Sequence, residues 1–326
     1  MNAQTRTPAF APLVLDPAAE VDRITGWLRE RLRTDLRKRG LVLGLSGGID
    51  SSVSAALAVR ALGARNVFGL FMPENDSDPE SLRLGQALAA MLGIDSVIED
   101  IGPALAAMGC YERRDAFIRQ AVPDYRPDWA SKIVFDNAMT TGGYSISSLV
   151  VRSPDGKTRK VRLPAAAYLG IVAATNMKQR TRKQTEYYHA DRLNFAVVGT
   201  PNRLEYDQGF FVKNGDGAAD IKPIAHLYKS QVYQIGAYLG LPADILSRPP
   251  TTDTYSLPQT QEEFYFALPY DKMDICLYGL EHGLPAATVA DATGLSEKNV
   301  AFVWEDIAAK RKVARYLHCQ PLVMDA

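Results

Sequence analysis

The run Ser46-Gly47-Gly48-Ile49-Asp50-Ser51-Ser52 holds the residues whose types and spacing could do chemistry. Two glycines let a bulky anion approach the backbone, and a helix starting beside them would aim free N–H groups and its positive end at that anion. Hydroxyls at Ser46, Ser51 and Ser52 can donate to the same group, so the expected ligand is a phosphate. The run fits neither the lysine-containing phosphate loop nor the Gly-x-Gly-x-x-Gly loop of dinucleotide binders. An acid, Asp50, stands where a lysine would neutralise charge. A carboxylate beside phosphates needs a divalent cation between them, so Mg2+ is expected as well. The plainer alternative is an aspartate capping an ordinary helix after a glycine turn.

Such a loop needs a strand to deliver it and a helix to follow. Leu41 to Leu45 is a short apolar run, and Ser51 to Leu62 reads as a helix. Strand and helix alternate around this junction. A helix covers Val21 to Leu36, strands occupy 66–72 and 96–101, and a helix lies between them in 78–93. A helix over Tyr168 to Leu193 and a strand over 194–200 follow later. This alternation predicts an α/β fold with a doubly wound parallel sheet. The pattern breaks between Tyr111 and Pro164, where two short strands flank a Pro-Asp-Gly turn. We read residues 1–326 as a single domain with an insertion at about 111–164 and a helical C-terminal part, with helices over 228–240, 270–283, 286–294 and 297–318.

Composition narrows the class. Lys plus Arg and Asp plus Glu both number 37, a balance that gives no support to a nucleic-acid partner. Three widely spaced cysteines argue against a disulfide framework or zinc site and for a reducing compartment. The N-terminus has no signal-peptide pattern and no apolar run is long enough to span a bilayer, so the expectation is cytoplasmic with no membrane partner. One rival of another class is a DNA reader, because Ala286 to Ile307 has a helix–glycine turn–helix pattern. Val300, Phe302, Val303 and Trp304 on its second helix look packed into a core instead.

The loop SGGIDSS is similar to the pyrophosphate-binding loop of the ATP pyrophosphatases, which cleave ATP to AMP and pyrophosphate while adenylating a substrate. Within that group, Gly199 to Pro242 resembles the central signature of NAD synthetases: Gly-Thr-x-Asn, a glutamate, a Gly-Asp-x-x-x-Asp turn, and Leu-x-Lys before a helix. TNMKQRTR, 175–182, is similar to that family's Asn-x-x-x-Arg-x-Arg helix, and PTTD and the segment 259–274 resemble its later motifs. The resemblance implies a Rossmann-like adenine nucleotide alpha hydrolase fold. It also implies adenylation of the nicotinate carboxylate of deamido-NAD, with ammonia then displacing AMP.

Residue by residue, the resemblance implies that Ser46, Gly47, Gly48, Asp50, Ser51 and Ser52 hold the ATP phosphates, and that Thr200 and Thr251 contact ATP. Glu205 would join Asp50 in clamping Mg2+, Lys229 would lie on the phosphates, and these three would carry the catalysis. A cation clamp and a lysine suit this chemistry, because carboxylate attack on a phosphate brings anions together. Asp216 and Asp220 match the region contacting deamido-NAD, and Arg180 and Arg182 would touch phosphate or substrate. The family also implies a homodimer with the acceptor site at its interface, and aromatic clusters in 262–270 and 185–195 fit such an interface. About 40 residues precede the first strand, too few for a glutaminase domain, so ammonia is expected free or from a separate glutaminase subunit. The enzyme alternative is another ATP pyrophosphatase that amidates or ligates a different carboxylate.

Overall fold

The computed structural model describes residues 10–135, 147–251, 255–259, 265, 266 and 268–324. At its centre lies a parallel sheet of β1 (Leu41–Gly44), β2 (Val67–Phe71), β3 (Asp95–Ile98) and a two-residue β7 (Ala196–Val197) contributed from much later in the chain. Their spatial order is β3-β2-β1-β7, with Leu41 opposite both Val67 and Ala196. The strands alternate between two apolar layers. Leu41, Leu43, Val67 and Phe71 face one, whereas Val42, Phe68, Leu70 and Val197 face the other. Both faces of β1, β2 and β7 are covered, so these strands read as apolar runs, whereas the edge strand β3 is largely exposed.

The first layer is filled by α1 (Pro17–Arg31), α2 (Ile49–Leu62), α3 (Pro79–Leu92) and α8 (Lys229–Tyr238), through residues such as Val21, Leu57, Leu88 and Val232. Asp16 caps α1 by accepting from the N–H groups of Ala18 and Ala19, and Pro17 sits where no N–H partner is needed. The helix expected to run to Leu36 passes after Arg31 into a π-helical turn, Leu32–Leu36. The second layer is the C-terminal half of α6 (Ala165–Leu193), through Ala190 and Leu193. The doubly wound α/β reading therefore holds. Connections leave β1 toward β2 on one side while β7 closes on the other, and a ligand crevice forms at such a divergence.

The 111–164 segment is richer than a hairpin. The expected pair of strands is present as β5 (Ser147–Arg152) and β6 (Thr158–Arg162), closed by the Ser153 N–H donating to the Lys157 carbonyl. They are joined by β4 (Ala130–Phe135) in an antiparallel sheet, and α5 (Cys110–Ala121) packs along the first half of α6. That packing is close: a Cβ on Gly170 would fall 2.3 Å from the Phe117 ring. A short α4 (Gly102–Ala107) leads into α5.

The remaining elements form a second core. The short α7 (Arg203–Gln208) joins α10 (Tyr270–Glu281), α11 (Ala286–Thr293) and α12 (Glu297–His318) there, while α9 (Ala243–Ser247) packs Ile245 into the first layer. Val300, Val303 and Ile307 of α12 are buried in the second core, and the Trp304 indole donates to the Cys276 carbonyl at 2.8 Å. That helix face belongs to the core, which leaves none of it for a DNA groove. Tyr265 and Phe266, expected at a subunit interface, turn inward against Phe210, with ring centroids 4.6 and 5.6 Å from it. Glu262, Glu263 and Phe264 of that aromatic cluster lie outside the described residues, as does Asp253 of PTTD. All three cysteines are free thiols, and among the described residues no helix is long and apolar enough to cross a membrane.

Candidate active site

The glycine loop leaves β1 and enters α2 within a few residues. Helix α2 starts at Ile49, two residues earlier than the spacing suggested, and its N-cap is Gly48. Asp50 therefore lies inside the first helical turn and does not cap the helix. Gly47 has φ +69°, and a Cβ there would sit 2.7 Å from the Ser81 carbonyl oxygen and 2.9 Å from Leu84 Cβ. The position thus requires glycine both for its left-handed backbone and for the close approach of α3. A Cβ on Gly48 would meet only the Ser46 hydroxyl, at 3.4 Å, so the loop stays open on that side. The Ser51 and Ser52 hydroxyls both donate to the Gly48 carbonyl, at 3.1 and 2.8 Å, and Ser46 Oγ lies 3.0 Å from Ser51 Oγ.

The first-turn N–H groups of α2 have no intrahelical acceptor and face the end of the sheet. Opposite them, the chain leaves β7 through Thr200, Pro201 and Asn202. The Asn202 side chain caps α7 by accepting from the Glu205 N–H at 3.2 Å, while Glu205 Oε2 accepts from the Asn202 N–H at 3.1 Å. The same Asn202 side chain donates to Asp50 Oδ1 at 3.1 Å. Lys229, at the start of α8 and 2% exposed, donates to Asp50 Oδ2. Burial works against its charged form, but the Asp50 and Glu205 carboxylates outweigh burial and hold its ammonium above the ordinary lysine range. Asp50, Asn202, Glu205 and Lys229 thus converge from three distant parts of the chain.

Lys229 is itself held from below. Asp274, fully enclosed on α10, accepts the N–H groups of Lys229 at 3.2 Å and Ser230 at 2.7 Å. Burial pushes its carboxyl up to about 7, against the pull of these donors and of the Lys229 charge. An acid amid the apolar residues Met273, Ile275 and Leu277 was the sequence signal for this contact.

Asp50, Glu205 and Lys229 border a cavity of about 770 Å³. Of the residues expected in the site, Ser46, Gly48, Asp50, Ser51, Thr200, Glu205, Lys229, Thr251, Arg180, Arg182 and Asp216 all line it. Gly47 and Ser52 lie just behind the wall and shape the loop. Asp220 lies outside it: its carboxylate accepts from the Val197 N–H at 2.7 Å and the Tyr187 hydroxyl at 3.3 Å, which ties it to β7 and α6. Arg182 Nε donates to the Met72 carbonyl at 3.3 Å, so part of its guanidinium holds the loop after β2. Arg180 Nε likewise donates to the Lys213 carbonyl at 3.2 Å. Asp216 accepts the Val212 N–H at 2.8 Å.

A second charged group fixes the loop after β2. Lys178, 1% exposed, bridges Glu74 at 3.0 Å and Asp76 at 2.6 Å. Arg114 of α5 pairs with Asp76 at 2.5 Å and Asp115 at 2.9 Å, and the Tyr111 hydroxyl donates to Glu74 at 2.9 Å. The 111–164 segment is thereby tied to the rim of the cavity. Sequence reasoning missed this network, as it missed Asn202, Asp274, Lys183 and Glu186. Only the position of Asn202 inside the Gly-Thr-x-Asn motif and the placing of Asp274 offered a signal.

The family model for NAD synthase matches residues 20–122 and 149–314. The chain belongs to the NAD synthase family. The stretch between the two matched segments lies within the insertion read from the sequence. An NH(3)-dependent NAD(+) synthetase from Rhizobium meliloti (strain 1021) is 72% identical over 309 residues, covering 95% of this chain and 92% of that protein. One from Methanocaldococcus jannaschii is 30% identical over 301 residues, covering 92% and 95%. Among solved structures, the NMN synthetase of Francisella tularensis is similar with a TM-score of 0.65 and 26% identity, over 96% of this chain and 100% of that one. The NH3-dependent NAD synthetase of Campylobacter jejuni shares the fold with a TM-score of 0.61 at 23% identity, over 95% and 100%.

Proposed function

We propose that this chain is a ligase forming a C–N bond: it amidates deamido-NAD to NAD with ammonia and converts ATP to AMP and pyrophosphate. The observation that carries the reading is the convergence of Asp50, Glu205 and Lys229 at the mouth of a glycine loop and helix N-terminus, inside one cavity. The loop and first turn of α2 offer hydroxyl and N–H donors to the phosphates. The acceptor carboxylate attacks the α-phosphorus, the bond to pyrophosphate breaks, and an acyl adenylate results. Ammonia then adds to the acyl carbon, AMP leaves, and a proton is released.

Lys229, pinned by Asp274 and Asp50, offsets the charge that grows on the leaving pyrophosphate. Thr200 and Thr251 border the same space and suit the nucleotide. In this reading Arg180, Arg182 and Asp216, which border the cavity, meet the dinucleotide, and the bonds of Asp220 favour a supporting role. Two carboxylates fit Mg2+, which takes few protein ligands and completes its shell with phosphate oxygens and water. When bound through Asp50 and Glu205, the ion would neutralise charge between the phosphates. A homodimer is part of this reading, supported by exposed Leu169 and Tyr188 on α6, 63% and 62% accessible. So is ammonia drawn from solution or from a glutaminase partner.

Incubating the protein with ATP, Mg2+, ammonium and deamido-NAD tests the reading. Equal amounts of NAD and AMP are expected. Turnover of the nicotinate mononucleotide in preference to deamido-NAD would move the chain to the acceptor class named for the Francisella protein. Absence of AMP with either acceptor would defeat ligase activity.

A further inference from the structure

The wall of the cavity carries a charged pair that the reaction just described does not use. Lys183 and Glu186 sit one turn apart on α6 with Nζ 2.6 Å from Oε2, and their side chains are 6% and 9% exposed. Both border the cavity. Glu186 Oε1 lies 3.1 Å from where a Cβ on Gly44 would be, beside Met72 Cε at 3.0 Å. The carboxylate thus rests on the C-terminal end of β1, in space that only the missing side chain of Gly44 leaves open. Lys183 engages one oxygen, and among the described residues Oε1 accepts no hydrogen bond.

A buried ion pair of this kind is no better for stability than apolar side chains of similar volume. Its surroundings point to a ligand instead. Gly44 precedes the phosphate loop by two residues, roughly 7 Å of chain. A nucleotide with its phosphates on that loop and its nucleoside directed back along β1 would lie against Gly44. The adjoining wall is Leu70, Phe71 and Met72, an apolar surface suited to a base. Resting on the proposed ATP-dependent reaction, we propose that Glu186, oriented by Lys183, reads the nucleoside of ATP by accepting a hydrogen bond from it at Oε1. The donor is either the 6-amino group of the purine or a ribose hydroxyl. A base presenting an oxygen acceptor at the 6-position would be repelled by the same carboxylate.

The test compares ATP with inosine 5′-triphosphate, 2′-deoxy-ATP and 3′-deoxy-ATP, in wild-type protein and in the double variant Lys183→Met/Glu186→Leu. Removing both charges together avoids leaving one buried alone. Turnover is followed as NAD formation, and nucleotide affinity is measured in parallel by calorimetry without the acceptor. For the wild type, one analogue should be disfavoured roughly 10-fold, the loss expected for one hydrogen bond to a charged group. In the double variant that preference should vanish, because ATP weakens to the level of the analogue. The analogue affected identifies the donor. If the double variant keeps the wild-type preference, or the wild type shows none, the pair is structural and the proposal fails. Should turnover with deamido-NAD be absent while calorimetry gives the predicted pattern, the reaction assignment fails and the nucleoside contact stands. If the double variant does not fold, Glu186→Gln measured against the same nucleotides decides, and an unchanged preference there overturns the proposal.

Discussion

Asp274 offers a sharp test of how the site is held together. Its side chain is fully enclosed and accepts two backbone N–H groups at the start of α8. Burial raises its carboxyl to about 7 from an ordinary value of 3.8. In the window between these values the folded protein keeps a proton that the unfolded chain has released. Stability must then fall as pH rises through that window, by about 1.4 kcal/mol per pH unit and about 4 kcal/mol in all, and level off above pH 7. Asp274→Asn removes this dependence. The amide keeps one acceptor and turns its NH2 toward the other N–H, which costs about 1 kcal/mol for the contact it loses. The variant should therefore be the less stable protein near pH 4 and the more stable one near pH 7. Urea unfolding of both proteins at about pH 5, 6, 7 and 8 reads this directly, since titrations elsewhere cancel in the difference. About 2 kcal/mol of relative change is expected between pH 5 and 7, in favour of Asn. A constant difference across that range would mean that Asp274 titrates normally and that its burial is not what limits it.

Three other substitutions probe the site. Asp50→Asn should abolish NAD formation, and because Asp50 pairs with a buried lysine it should also lower stability, by up to about 3 kcal/mol. Full activity in a steady-state assay would remove Asp50 from the chemistry. Lys229→Met should reduce kcat by roughly 100-fold or more, the effect of losing one preorganised donor, and an unchanged kcat would reduce the lysine to a structural partner of Asp50. Gly47→Ala must force a Cβ against the Ser81 carbonyl in a left-handed backbone, so a loss of about 1–3 kcal/mol in thermal unfolding and weaker ATP binding are expected. Unaltered ATP affinity in calorimetry would show that the loop tolerates the displacement.

Much of the frame was readable from periodicity. Long apolar repeats located α6, α10 and α12, and the strand–loop–helix spacing around Ser46 located the glycine loop proposed to hold phosphates. What escaped depends on pairing between distant residues. The segment 130–135 looks unremarkable until β5 supplies its edge, and polar α5 makes sense only against α6. Local pattern marked the positions of Asn202 and Asp274 but not their partners dozens of residues away, and it left the buried Lys183–Glu186 pair unmarked. Asp220 shows what a motif leaves out. The family resemblance implies a place near the acceptor, and the parallel bridge between Val198 and Ile221 also brings its carboxylate to the backbone of β7, a contact no motif encodes.

Helix α6 runs unbroken for 29 residues, roughly 44 Å. Along that length it meets the insertion at Ile171, the loop after β2 at Lys178 and Arg182, β1 at Glu186 and the sheet at Ala190. Each fixture depends on the angular phase of the helix. Deleting or adding one residue within it would rotate everything beyond by about 100° and shift it 1.5 Å, so no single slippage could restore all the fittings. Length variation should therefore be intolerable between Ile171 and Ala190. It should be cheap in the exposed turn at Pro154 to Gly156, where an extra residue disturbs only one hairpin. A scan of single-residue insertions along the chain, scored by soluble yield, would expose α6 as a rigid ruler and that turn as free cord.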